Sequence, residues 1–416
     1  MTLGWGNLAR LCLVNAAIGG MAALPVNLFN RLMTVELALP ALLPGLLVAL
    51  HYAVQISRPV WGYHSDAKGA RASFILGGVA VVGLALVMTA WAIAFAPNQT
   101  IAYATWIVAY ALIGFGIGAA GTSFLALLST ASTDARKGPV ATLAWLMLIA
   151  GAIVASIGTG IALEPYSPTR LMSVVPFVAL IAFLVCCVAV WGIEKRLPKA
   201  PPPKSVDLKS ALESTWADPA ARAFTGFVFL SILAFYLSEL VLEPFAGHIH
   251  GLPPDASTRL SGGKDGAALM GMLAAGGFTA FGLGNLRFWA VLGCIISAIG
   301  LVGLGLGAHL MAFTVVLGLG NGVFVVGAIG SMMRLANEQK GAAGTRMGVF
   351  GASQAIAAGL AGLIATGTLD VARLIFSDAT AYGLVFGIEA ILFLAAAFVA
   401  ARLLEPNPTM QLQPGE

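Results

Sequence analysis

Long apolar segments separated by short polar ones follow each other along almost the whole chain. A helix needs about 20 mostly apolar residues to cross the hydrocarbon core of a bilayer. The pattern therefore predicts an all-α membrane protein, because helices satisfy their own backbone hydrogen bonds in lipid. Twelve spans are predicted, near 9–32, 37–60, 73–96, 101–129, 139–162, 171–193, 222–243, 265–284, 288–307, 309–335, 346–368 and 381–403.

Composition supports a chain whose surface faces lipid. Hydrophobic residues make up 59% of the 416 residues and charged residues only 10%, and the mean hydropathy is +0.92. Soluble domains carry about 25% charged residues. The net charge of +4 gives no indication of nucleic-acid binding. No metal-ligand spacing involves the four cysteines, which all lie in apolar runs: Cys12, Cys186, Cys187 and Cys294.

A polar segment near the middle of the chain divides it into two halves. This segment starts with a basic cluster and the run Pro201–Pro203, which predicts an extended connector. We therefore assign residues 1–193 to an N-terminal six-helix half, 194–221 to a cytoplasmic linker, 222–404 to a C-terminal six-helix half and 405–416 to a cytoplasmic tail.

An internal repeat and the distribution of charge support this arrangement. The glycine-rich segment Ile113–Gly118 has a counterpart in Leu317–Gly322, about half the chain further on. Parallel halves of this kind place a cavity between them near the membrane midplane. Most of the 22 Lys and Arg residues fall on the side that holds both termini. This bias predicts a bacterial inner-membrane protein with both termini in the cytoplasm.

Ionisable residues inside spans are costly and mark candidate sites. In span two, His51, Gln55 and Arg58 recur at i, i+4 and i+7 on one helix face. This face either lines the cavity between the halves or packs on a neighbouring helix. Gln354 in span eleven is a candidate for a hydrogen bond across the same cavity.

Two acid-containing segments flank the outer ends of spans. Arg31 and Glu36 surround the turn after span one, where an ion pair would lower the cost of holding both near the interface; contact with a partner helix or with a bound molecule is the alternative. Glu239 and Glu243 are four residues apart near the end of span seven, which Pro244 is expected to terminate. Such paired carboxylates either titrate and couple to protons or cap the outer interface.

The loop between spans two and three resembles the conserved loop of the major facilitators, G-x-x-x-D-R-x-G-R-[RK]. Alanines at positions 67 and 70 depart from that pattern. By resemblance, the loop carboxylate would bind the positive N-terminal end of span eleven and latch the two halves at the cytoplasmic side; the alternative is a solvated loop charge. The matching positions are Gly62, Asp66, Gly69 and Arg71.

Several segments resemble a more specific family, the PucC or bacteriochlorophyll-delivery branch of the major facilitators. The compact loop after span two is most similar to members encoded with bacteriochlorophyll-biosynthesis genes. The segments that carry the resemblance are Asn30–Leu37 (NRLMTVEL), Leu39–Gln55 in span two, Leu242–Gly247 (LEPFAG) and Gly348–Ala355 (GVFGASQA).

The resemblance implies a non-enzymatic protein that binds bacteriochlorophyll as cargo. It would pass pigment to light-harvesting antenna polypeptides or receive it from bacteriochlorophyll synthase, with no nucleotide or metal cofactor. His51 is then a candidate ligand for the pigment magnesium, against the alternative of a hydrogen-bonded interhelix histidine. Two other functions stay open: a secondary transporter of a small solute by alternating access, and a regulatory subunit of a pigment-synthase complex.

Overall fold

The computed structural model describes residues 3–58, 61, 71–132, 134–197, 217, 219–280, 283–337 and 343–403. Every regular element in this part of the chain is helical. The α-helices are α1 (Trp5–Leu24), α2 (Leu42–Val54), α3 (Arg71–Phe95), α4 (Gln99–Ala131), α5 (Asp134–Ala162), α6 (Pro168–Val190), α7 (Pro219–Leu237), α8 (Leu242–His248), α9 (Pro254–Ala280), α10 (Leu286–Gly305), α11 (Leu310–Asn337), α12 (Ala343–Arg373) and α13 (Asp378–Leu403).

These helices confirm a multi-pass, all-α membrane protein. Within the described ranges, 10 helical segments are long and apolar enough to cross a bilayer. The span expected at 37–60 contains α2, which has only 13 residues. The span expected at 265–284 only overlaps α9. This helix begins earlier in the chain and carries several charged residues in its first half. The count of twelve crossings therefore stays a prediction.

The first span is longer than expected because helical structure continues beyond α1. Two five-residue turns of π-helix follow, Pro25–Phe29 and Leu32–Glu36. Together they make one 32-residue apolar segment, Trp5–Glu36. Pro25 has no backbone N–H and interrupts the α-helical hydrogen-bond ladder at this point. Single π-helical turns are rare and often occur at functional sites.

Packing groups the chain into two compact units. The first unit comprises Met1–Val206, Tyr236–Gly266 and Ala358–Val385, and the second comprises Asp207–Phe235, Ala267–Ala357 and Phe386–Glu416. The division into two six-helix halves at the central linker stays a prediction.

In the first unit, α1 and α5 cross in direct backbone contact. A methyl group added at Gly19 would lie 2.0 Å from the Leu148 carbonyl oxygen, and one added at Gly151 would lie 1.8 Å from the Ala16 oxygen. Both distances are far below van der Waals contact. Only glycine therefore fits at these two positions, as expected where helices associate in lipid through small residues.

In the second unit, α10 and α11 form a comparable close pair. A methyl group at Gly293 would lie 2.2 Å from the backbone nitrogen of Phe324, and one at Gly320 would lie 2.4 Å from that of Ser297. The Ser297 hydroxyl also donates a hydrogen bond of 2.8 Å to Asn321 Oδ1. Asn321 belongs to the repeated glycine-rich segment, so in span ten this segment forms a helix-packing surface.

Replacing Gly151 with leucine should disrupt the crossing of α1 and α5. Overpacking a tight site costs about 1–3 kcal/mol or more, so the midpoint of thermal unfolding in mild detergent should fall. Gly158→Leu is the matched control, because nothing lies within 4 Å of a methyl group built at this position of α5. Equal midpoints for the two variants would contradict the packing described here.

Candidate functional site

The end of the first span meets α8 in the first unit. The Asn30 side-chain amide donates a 2.7 Å hydrogen bond to the Leu240 carbonyl oxygen. A methyl group at Gly247 would lie 3.0 Å from Val35 Cγ2 and 3.2 Å from Arg31 Nη2. The two segments NRLMTVEL and LEPFAG are therefore in contact, and we call residues 30–36 together with 240–247 the junction.

Arg31 is buried at the junction, with 2% of its side chain exposed. Its Nη1 donates to Glu36 Oε1 at 2.5 Å, which is the expected ion pair. Its Nη2 donates to the Leu252 carbonyl oxygen at 2.6 Å. Its Nε–H has no acceptor among the described residues. The guanidinium thus joins the first span to the segment between α8 and α9, while its Nε–H stays without an acceptor among the described residues.

Glu243 is fully buried at the junction. Its Oε2 accepts a weak hydrogen bond of 3.4 Å from Thr258 Oγ1, and the Ser261 hydroxyl is also a partner. Its Oε1 receives no hydrogen bond from the described part of the chain. The expectation that Pro244 ends the helix is wrong: Pro244 lies in the first turn of α8, where a missing N–H costs nothing.

Glu239 and Glu243 do not share one environment. Glu239 Oε1 lies 2.5 Å from the Nζ of Lys264, whose side chain is only 4% exposed. Asp265 lies further from the same ammonium, at 3.8 Å. Lys264 was not among the candidate residues, because it is 25 positions away in the sequence and no local periodicity connects it with Glu239.

The polar face of α2 forms a short chain of hydrogen bonds. Arg58 Nη2 donates to Gln55 Oε1, which fixes the orientation of the amide, because a guanidinium can only donate. Gln55 Nε2 then donates to His51 Nε2 at 2.9 Å. His51 is therefore neutral with its proton on Nδ1, and this N–H has no acceptor among the described residues. The expectation that these three side chains share a face is confirmed.

Tyr52, which follows His51 on α2, extends the polar region to Tyr236 near the end of α7. Tyr52 and Tyr236 contact edge to face with ring centroids 6.1 Å apart, and their hydroxyls are hydrogen-bonded. Glu239 lies close enough to act electrostatically on both tyrosines. Tyr236 thus contacts α2 through Tyr52 and lies near Glu239.

A carboxylate from α12 holds the N-terminus of α2. Asp370 Oδ1 accepts from the backbone N–H of Ala41 at 3.0 Å, and Oδ2 accepts from that of Leu42 at 2.7 Å. Unpaired N–H groups at a helix start bind anions well. Local sequence spacing could not indicate this contact, because 328 residues separate Leu42 from Asp370.

The predicted latch is formed by the loop between spans two and three. Three of its four matching residues, Gly62, Asp66 and Gly69, lie outside the described residues, so the latch stays a prediction. The fourth, Arg71, begins α3, and its Nη1 donates to Thr130 Oγ1 at 2.7 Å. Glu194 caps this helix, because its two oxygens accept from the backbone N–H groups of Arg71 at 2.6 Å and Ala72 at 3.0 Å. Local sequence did not single out Glu194, because it is one of several charged residues at the start of the predicted linker.

Two further polar residues are described separately, Gln354 in the second unit and His248 in the first. Gln354 is half-buried on α12 in the second unit, and its role at a cavity stays a prediction. His248 Nδ1 interacts with the Tyr382 hydroxyl at 2.8 Å and with Arg373 Nη2 at 2.9 Å. Over the described ranges, no cluster of three or more His, Cys, Asp and Glu side chains has a metal-binding arrangement.

The family profile described as PUCC protein matches residues 28–407. The chain belongs to this family. It is 47% identical over 414 residues to the "Bacteriochlorophyll synthase 44.5 kDa chain" of Rhodobacter capsulatus, covering 96% of both chains. It is 27% identical over 433 residues to "Protein PucC" of Cereibacter sphaeroides, covering 97% of this chain and 92% of that protein.

Two solved transporter structures share the fold. A bacterial homologue of the human drug peptide transporters PepT1 and PepT2 superposes with a TM-score of 0.71 at 11% identity, covering 95% of this chain and 96% of the other. The nucleoside transporter NupG gives a TM-score of 0.68 at 13% identity, with 96% and 99% covered. The predicted major-facilitator fold is therefore confirmed, whereas identities this low carry no information about substrate.

Removing the carboxylate of Asp370 should weaken the attachment of α2. Loss of a helix N-cap costs about 0.5–2 kcal/mol, so Asp370→Ala should lower the thermal unfolding midpoint in detergent. Asp378→Ala is the control, because Asp378 forms an ion pair with Arg373 while its side chain is 53% exposed, and exposed pairs contribute about 0–1 kcal/mol. A smaller loss for Asp370→Ala than for Asp378→Ala would contradict the proposed cap.

Proposed function

We propose that this protein is a non-enzymatic membrane factor for pigment delivery and assembly of light-harvesting complexes. It binds bacteriochlorophyll and passes it to antenna polypeptides or takes it from the pigment synthase. The observation that carries the proposal is 47% identity, over 96% of both chains, to a protein whose name refers to bacteriochlorophyll synthase. The transporter-like fold supports a role in moving a molecule rather than in transforming it.

The proposed location is the bacterial inner membrane, including its intracytoplasmic photosynthetic regions, with both termini in the cytoplasm. The bias of Lys and Arg along the sequence supports this orientation. A reporter fused within the linker at 198–216 should report a cytoplasmic position, and an external position would overturn the proposed topology.

His51 is the residue that we propose contacts the pigment. Its Nε2 lone pair is occupied by the Gln55 amide, so ligation of the pigment magnesium by Nε2 requires Gln55 to be released. Its Nδ1–H already lacks an acceptor in the described part of the chain and can donate to a pigment carbonyl group. A buried donor without an acceptor costs about 1–3 kcal/mol, which a carbonyl ligand would recover.

The alternative function is secondary transport of a small solute by alternating access. The likeness to peptide and nucleoside transporters favours it as the second candidate. Uptake into pigment-free vesicles that is lost in Asp66→Asn would support it. Stable co-purification with the synthase without pigment would instead support a regulatory subunit.

The protein purified in mild detergent from phototrophically grown cells should show bacteriochlorophyll absorption. His51→Ala should reduce the pigment retained per protein about tenfold, the effect of losing roughly 1.4 kcal/mol of binding free energy. His309→Ala is the matched control, because His309 is exposed at the start of α11 and its Nδ1 only accepts from the Ala312 backbone. A colourless wild-type preparation would overturn the pigment-binding proposal.

A further inference from the structure

Glu243 occupies an environment that does not suit a charged carboxylate. It is 0% exposed, and its hydrogen-bond partners among the described residues are two hydroxyl groups, Thr258 at a long 3.4 Å and Ser261. Its Oε1 receives no hydrogen bond there. An ionised carboxylate buried without a cation and strong hydrogen bonds costs several kcal/mol. A neutral carboxylic acid avoids most of this cost.

The two cations that act on Glu243 are already paired with other carboxylates. Arg31 binds Glu36 at 2.5 Å and the Leu252 carbonyl oxygen at 2.6 Å, and Lys264 binds Glu239 at 2.5 Å. Both influence Glu243 only from a distance. The charged and titratable groups around the junction are Arg31 and Glu36 on the first span, Asp255, Lys264 and Asp265 on α9, and Glu239 and His248 on the span of Glu243 itself.

We infer that Glu243 is a proton-binding site that holds the junction closed while it is protonated. With a neutral Glu243, the single charges of Arg31 and Glu36 cancel. When the O–H bond of the acid breaks, the proton passes to water and the electron pair stays on the carboxylate. Glu243 then carries a charge at a fully buried position without a strong hydrogen bond. This cost falls when water reaches the carboxylate, so ionisation favours separation of the first span from α8.

Arg31 has a donor available for the ionised state. Its Nε–H is buried without an acceptor among the described residues, and Glu243 Oε1 is a buried acceptor without a donor there. A structure that keeps both unsatisfied loses about 1–3 kcal/mol for each. Ionised Glu243 would compete with Glu36 and the Leu252 carbonyl for this guanidinium. The proton state of Glu243 thus determines which groups Arg31 binds.

The inference does not depend on what the protein carries, because the proton site is defined by the chain's own groups. Family segments NRLMTVEL and LEPFAG meet at this site, and the first span is wound there as π-helix. A proton taken up or released at the junction would couple its opening to pH on the side that the junction faces.

Infrared spectroscopy of the complete protein, reconstituted in lipid, tests whether Glu243 is protonated. Wild-type protein carrying glutamate labelled with ¹³C in the carboxyl group should show a protonated C=O band at pH 7 that shifts with the label. The band should lose intensity in Glu243→Gln, and what is left is assigned to Glu389, the other fully buried glutamate among the described residues. Glu36→Gln, which changes the exposed partner of Arg31, should retain the band. A wild-type spectrum without a label-sensitive protonated band, or an unchanged band in Glu243→Gln, would overturn the inference.

Hydrogen–deuterium exchange tests whether the proton holds the junction closed. After correction for intrinsic exchange, protection of the peptides covering 28–37 and 240–250 should fall about tenfold in the wild type between pH 6 and pH 9. Protection in Glu243→Gln should not change with pH, and Glu36→Gln should remain pH-dependent. Constant wild-type protection, or an equal fall in Glu243→Gln, would contradict the coupling.

A third variant tests the same inference if Glu243→Gln does not fold. Glu243→Asp keeps an acid at the position, and the share of the protonated band that belongs to residue 243 should no longer shift with the glutamate label. A protonated band that still shifts fully in this variant would assign the wild-type signal to another glutamate and overturn the inference. Because none of these measurements requires pigment, their outcome is independent of the proposed function.

Discussion

The structure depends on one constraint, the lack of water to hydrogen-bond polar groups within the bilayer. Each buried polar group must find its partner within the protein or remain costly. In the first unit this requirement is met by contacts across long sequence distances. Asp370 caps α2, Glu194 caps α3, and Lys264 pairs with Glu239. Asp370 thereby ties the segment 358–385 to α2, and the bonds from Asn30 and Arg31 tie the segment 236–266 to the first span.

Close helix packing follows from the same constraint. Because lipid provides no hydrophobic drive between helices, association depends on van der Waals contact and interhelical hydrogen bonds. Gly19 and Gly151 bring α1 and α5 into backbone contact. The buried polar side chains can then be positioned accurately, since the helices that carry them have little freedom to shift.

The junction differs from these satisfied contacts. Arg31 Nε and Glu243 Oε1 remain without partners among the described residues. A pair of opposite, unsatisfied groups is costly in one conformation and indicates a second arrangement in which they are used. The π-helical turns that bring Arg31 to this place add a second irregular feature.

The sequence by itself determined the fold class, the membrane location and the family. These follow from the length and apolarity of the spans and from short local segments, which need no knowledge of long-range contacts. Local spacing also predicted the Arg31–Glu36 ion pair and the shared face of His51, Gln55 and Arg58, because helical periodicity fixes neighbours within a few residues. Only the tertiary structure decided that Glu239 pairs with Lys264 rather than with Glu243, that Asp370 caps α2, and that NRLMTVEL meets LEPFAG. Those partners come from distant parts of the chain, so the geometry that selects them exists only once the helices have packed.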